Sequence, residues 1–124
     1  MSDDCADRND KLQRRLRDYA LRVIKLYCSL PKTTEAQVIG RQFLKSGTSP
    51  GAQFREARRA KSDADFISKA EGALQELDET DYWLDLLGAS GIVEPDYLSK
   101  LITETNELIS IFVTIVKKTK KRPK

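Results

Sequence analysis

Histidine is absent from all 124 residues. That absence excludes Ser-His-Asp and Cys-His nucleophile systems, His-ligated zinc and the Glu-x-x-His pairs of di-iron bundles. Cysteine is scarce as well. Cys5 and Cys28 match no metal-ligand spacing and build no disulfide framework, so both are expected as reduced thiols. Aromatic residues make up only 7% of the chain, and no strand-like alternation stands out. Long apolar runs are also missing. The longest, "LISIFVTIV" at 108–116, is about half a bilayer span, and the opening "MSDDCADRND" holds no apolar signal segment. No membrane contact and a cytoplasmic location are expected.

What remains is a chain with 40% hydrophobic and 33% charged residues, a composition that fits one helical globular domain at this length. The formal net charge of +3 hides an asymmetry. Lys117, Lys118, Lys120, Lys121, Arg122 and Lys124 crowd the last eight positions, and the rest of the chain carries 16 basic residues against 19 acidic ones. The expected organisation is an acidic flexible leader over 1–10, a helical body over 11–116 and a basic flexible tail over 117–124.

Apolar spacing of three and four residues defines four helical segments. Leu12, Leu16, Tyr19, Ala20, Val23, Tyr27 and Leu30 lie on one face of a helix from about Lys11 to Ser29, stopped by Pro31. A second opens where Thr34 and Gln37 have capping-box spacing, and turns Ala36, Ile39, Phe43 and Leu44 inward. Ser62 and Asp65 cap a third, whose stripe of Phe66, Ala70, Ala73, Leu74, Leu77, Leu84 and Leu87 ends at Gly88 and Gly91. Pro95 starts the fourth, which carries Leu98, Leu101, Ile102, Leu108, Ile109, Phe112 and Val116. Four such helices with short connections predict an all-α, antiparallel up-down four-helix bundle. Apolar residues beyond these stripes, Tyr82, Trp83 and Leu86 on the third helix and Ile111, Val113 and Ile115 on the fourth, predict an interface in a homo-oligomer.

The stretch "KSGTSPGAQFREARRAKSDADF", residues 45–66, admits two readings. Gly47 and Gly51 each cost about 1 kcal/mol in a helix and Pro50 about 3 kcal/mol, which favours a break at Ser46 to Ser49. If the helix instead continues, Gly40, Gly47 and Gly51 fall within about 40° of one another and leave a strip where another backbone can approach closely. Arg41, Lys45, Arg55 and Arg59 then fall within about 80°, along about 27 Å of helix axis. Such a row can track phosphates, or it can pair with the acidic line Glu71, Asp78 and Asp85 of the third helix.

The same residues resemble the bacterial four helix bundle protein family, also called the 23S ribosomal RNA intervening-sequence protein family. The likeness rests on "ALRVIKL", "VIGRQFLKSGTSPGAQFREARRAKSDADFISK", "QELDETDYWLDLL" and "NELISIFVTIVKKTKKR", which stand in the family's order and separations. The resemblance implies a bundle with one long, bent second helix running through Gly47 to Gly51. It also implies assembly as a homopentameric barrel, and a relation to accessory proteins of diversity-generating retroelements, which engage nucleic acid beside a reverse transcriptase. It implies no catalytic residue. The chain departs from the family pattern at Gln53, Phe54, Glu71, Gly72 and Asp81. Asp81 interrupts the third stripe, where a carboxylate needs a partner or must face an interface.

The leading expectation is therefore a non-enzymatic, oligomeric protein that binds RNA or DNA, with no cofactor. Arg41, Lys45, Arg55, Arg58, Arg59 and Lys61 would contact phosphates, and Lys117, Lys118, Lys120, Lys121 and Arg122 would form an electrostatic arm. The alternative is a protein-interaction scaffold acting through Tyr82, Trp83 and the acidic face of the third helix. A third reading is a magnesium enzyme built from Glu76, Asp78, Glu79 and Asp81. It is disfavoured because a hard cation needs oxygens converging from several elements.

Overall fold

The computed structural model describes residues 2–123, with side chains from residue 6 onward; the Cys5 side chain and Lys124 lie outside this range. Four helices follow one another, α1 (Ser2–Ser29), α2 (Thr34–Ala57), α3 (Asp63–Ala89) and α4 (Pro95–Lys120), and pack as a bundle. The packing is uneven around the bundle. α2 and α3 share the most extensive interface, α3 with α4 and α1 with α2 follow, and α1 meets α4 only along a narrow seam.

Helix ends follow local chemistry. The Ser62 hydroxyl accepts from the Asp65 N–H at 3.1 Å and starts α3 as expected. At α2 the cap is Thr33 rather than Thr34, accepting from the Ala36 N–H, while the Gln37 amide turns back to the Pro31 carbonyl. Pro95 opens α4 at a position where its missing N–H costs nothing. Gly91, at φ +78°, turns the chain out of α3, and the Gly91 and Val93 N–H groups cap the carbonyls of Gly88 and Leu87.

α2 is continuous through Gly47, Pro50 and Gly51, so the break favoured by local propensity does not occur. Tertiary packing overrides it. Ser46, Gly47, Pro50, Phe54 and Ala57 are all buried, and a Cβ on Gly47 would stand 2.7 Å from a methyl of Val23 on α1. The small-residue strip is the surface against which α1 lies. α1 in turn starts at Ser2 rather than near Lys11, since the acidic residues of the leader suit a helix N-terminus and Asp10 reaches Arg58 at 2.6 Å. At the other end, α4 runs through Lys120 with Thr119 buried, so the expected tail is helical over its first half.

Apart from Thr119 near the end of α4, the buried polar side chains form one layer to which every helix contributes. Tyr19 of α1, Ser46 of α2, Thr80 of α3 and Thr105 of α4 are each at most 2% exposed. The Thr105 hydroxyl donates to the Leu101 carbonyl, so Tyr19 donates to Thr105 at 2.6 Å. Thr80 Oγ1 stands 2.8 Å from Ser46 Oγ. A satisfied polar layer penalises any slip of one helix against its neighbours, because slippage would orphan buried hydroxyls.

Burial pushes the Tyr19 hydroxyl up to about 12 from its ordinary 10, against the opposing effect of its bond to Thr105. The folded state thus holds this proton more tightly than the unfolded chain. Its contribution is complete below about pH 10 and is lost as pH rises towards 12, by about 2 to 3 kcal/mol. Thermal unfolding should become markedly easier across that window, and Tyr19→Phe should flatten the decline. An equal decline in Tyr19→Phe would show that other groups govern alkaline unfolding.

Candidate nucleic-acid interface

α1 and α2 run side by side with small residues between them, and a groove of about 650 Å³ opens along their outer edge. Its floor is Leu16, Ala20, Gly51 and Ala52, and its walls carry Arg14 and Arg17 from α1 and Arg55 and Arg59 from the α2 end. All four guanidiniums are exposed, and none is ion-paired among the described residues. Glu56 is the groove's lone carboxylate, and Lys69 already bridges it at 3.4 Å. The helix registers explain the clustering. Arg14 and Arg17 flank Leu16 at the edge of the buried stripe of α1, and the small residues of α2 allow the two backbones to approach.

The expected row of cations is only partly one surface. α2 ends at Ala57, so Arg59 lies in the following turn rather than on the helix; it joins Arg55 through the groove instead. Arg58 is held by Asp10. Lys45 lies close enough to Glu76 to favour its charged form, while burial and Glu79 push the Glu76 carboxyl above its usual range. Arg41 and Lys61 are exposed and stand outside the groove. The acidic line does not neutralise the row: Glu71 pairs with Lys120 at 3.1 Å, and Asp78 and Asp85 have no ion-pair partner among the described residues.

The tail is not a free arm throughout. Besides the Lys120 bridge, Arg122 reaches Asp63 at 3.4 Å, whereas Lys117, Lys118 and Lys121 are exposed and unbridged. Sequence reasoning missed Arg14 and Arg17. Their signal was present in "RRLR" at 14–17, where basic residues bracket a core leucine.

Elsewhere, Asp81 is half-buried between α3 and α4, where the Asn106 amide donates to it at 3.3 Å. The core position beside it belongs to Thr80. Tyr82 is 55% exposed and meets Trp83 edge to face at 5.1 Å between centroids. Trp83, Leu86, Ile111, Val113 and Ile115 are half-buried, and the Trp83 Nε1–H is buried without an acceptor. Arg15 ties the narrow α1–α4 seam through a two-pronged bond to Glu104 at 2.6 and 2.7 Å and a further bond to Glu107 at 2.8 Å. Among the described residues no group of three or more carboxylates or thiols is arranged to hold a metal. No helix among them is long and apolar enough to cross a membrane.

Comparison with known proteins agrees with this architecture. The family model for 23S rRNA-intervening sequence proteins matches residues 8–114. A crystal structure of a protein of the S23 ribosomal protein family from Bacteroides thetaiotaomicron VPI-5482 superimposes with a TM-score of 0.82 at 34% identity, over 88% of this chain and 97% of that one. No curated protein matches the chain. The chain belongs to the 23S rRNA-intervening sequence protein family.

Proposed function

We propose that this protein is a non-enzymatic accessory protein that binds RNA or DNA through the α1–α2 groove. The observation that carries the reading is the convergence of Arg14, Arg17, Arg55 and Arg59 on one groove whose lone carboxylate is already bridged. Four unpaired guanidiniums concentrate positive potential where a phosphate backbone can displace its condensed counterions. Aliphatic residues and glycine make up the floor and no aromatic residue lines it, so binding reads the backbone rather than the bases. Lys117, Lys118 and Lys121 add charge from the end of α4. Self-association through Tyr82, Trp83, Leu86, Ile111, Val113 and Ile115, as a pentamer or another ring, would repeat each groove and multiply a modest affinity. The family's description as 23S rRNA-intervening sequence proteins supports a nucleic-acid setting.

Fluorescence anisotropy with a structured RNA and a random-sequence duplex DNA, at stepped salt concentrations, tests the proposal. Both should bind, with log affinity falling linearly against log salt. Replacing Lys117, Lys118 and Lys121 by glutamine should make that slope shallower without removing it; truncation after 116 is the poorer test, because it cuts α4 inside its packed length. Failure of both ligands near physiological salt would overturn the reading. It would favour a protein scaffold instead, a second reading supported by exposed Tyr82 and the unpartnered indole N–H of Trp83.

A further inference from the structure

At the end of the bundle where α1 stops and α4 begins, a second groove of about 710 Å³ opens. It is built differently from the arginine groove. Gly91 reverses the chain after α3, and the following Ile92 and Val93 fold back beside Leu26, Leu30 and Leu101 to make an apolar floor. Three cations stand around that floor, Arg22 and Lys25 from α1 and Lys100 from α4, with Glu94 as the one opposing charge. None of the three cations is ion-paired among the described residues. Tyr97, also on the rim, is 80% exposed.

From this combination we infer a binding site for a small amphipathic carboxylate, a molecule with one anionic head on an apolar body. The volume lies within the range of small-molecule sites, which pair a mostly apolar lining with a few placed polar groups. Charge decides the sign of the occupant. Three cations face one carboxylate in this lining, and Glu104 and Glu107, which border Arg22 and Lys100 on the adjoining surface, are already bonded to Arg15, so positive charge is in surplus. Burying an apolar body beside these cations would strengthen their attraction for an anion. Arg22 supplies a planar fork that matches a carboxylate, and Lys25 and Lys100 act as point charges around it. The exposed Tyr97 ring supplies apolar area that a ligand can cover, with its hydroxyl left in water. The site is separate from the arginine groove, with which it shares no lining residue.

The test uses the full chain and 1-anilinonaphthalene-8-sulfonate as a fluorescent reporter anion. The uncharged N-phenyl-1-naphthylamine, which lacks only the sulfonate, serves as its control, and decanoate as the competing carboxylate. The reporter should bind once per protomer, at least tenfold more tightly than the neutral analogue, and decanoate should displace it whereas inorganic phosphate should not. Lys25→Ala combined with Lys100→Ala should weaken the reporter at least tenfold, as should Ile92→Asp, while glutamine at Arg14, Arg17, Arg55 and Arg59 should leave it unchanged. Lys25 and Lys100 are exposed, so the double variant should fold normally even if Ile92→Asp does not. Equal binding of the neutral analogue, unchanged binding in the lysine variant, displacement by phosphate alone, or absence of binding would each overturn the inference.

Discussion

Replacing Arg14, Arg17, Arg55 and Arg59 together by glutamine is expected to lower affinity for duplex DNA about a thousandfold near physiological salt. Each phosphate neutralised on a duplex contributes about 0.9 to the slope of log affinity against log salt, so four lost contacts make it shallower by about 3.6. Single-stranded RNA, with about 0.7 per contact, should lose about two hundredfold. The variant should still fold. All four side chains are exposed and none is ion-paired, and such surface changes usually move stability by less than about 0.5 kcal/mol. Arg58→Gln supplies the contrast, because Asp10 already occupies that guanidinium and little binding should be lost. Anisotropy titrations of both variants, with circular dichroism as the folding control, check the assignment. An unchanged salt slope in the quadruple variant would remove the groove from the binding surface, whatever the wild type binds.

The contrast between Arg58 and its neighbours marks where sequence reasoning loses its grip. Helix periodicity placed the four helices and nearly all their core residues, because burial on one face is imprinted every three or four positions. The continuity of α2 was visible only through the family resemblance. Gly47 and Pro50 oppose it by local propensity, and what overrides them is the closeness of Val23 and the burial of the whole α2 face, which are tertiary facts. The charged surface was harder still. Arg55 and Arg58 stand three residues apart, and one is open while the other is neutralised by a residue 48 positions away. Arg14 and Arg17 became functional candidates only when α1 was laid beside α2. A charge pattern along one helix cannot reveal partners on another, and for the same reason the leader and tail looked more independent than Asp10, Lys120 and Arg122 make them.

Phe54→Ala should cost about 3 to 5 kcal/mol. The ring is fully buried and stands edge to face against Phe112, with centroids 5.7 Å apart, so α2 and α4 both lose packing when it goes. The cavity would open towards the end of the bundle where α2 stops and α4 nears its last turns. Its neighbour Gln53 poses the opposite problem. The Gln53 amide occupies the place where a Cβ on Gly72 would stand, so glutamine here and glycine on α3 are one reciprocal choice. The obstructing atoms are the far end of a flexible, half-buried side chain, so Gly72→Ala alone should cost less than about 1 kcal/mol, the swing of the amide being offset by the better helix propensity of alanine. In the background of Gln53→Ala the same change should become neutral or stabilising. Urea unfolding of the four proteins in this cycle measures the coupling, which should lie near about 0.5 kcal/mol for a contact that one flexible side chain can leave. Additive effects would mean that Gln53 swings aside at no cost, and that its pairing with Gly72 contributes nothing to the α2–α3 interface.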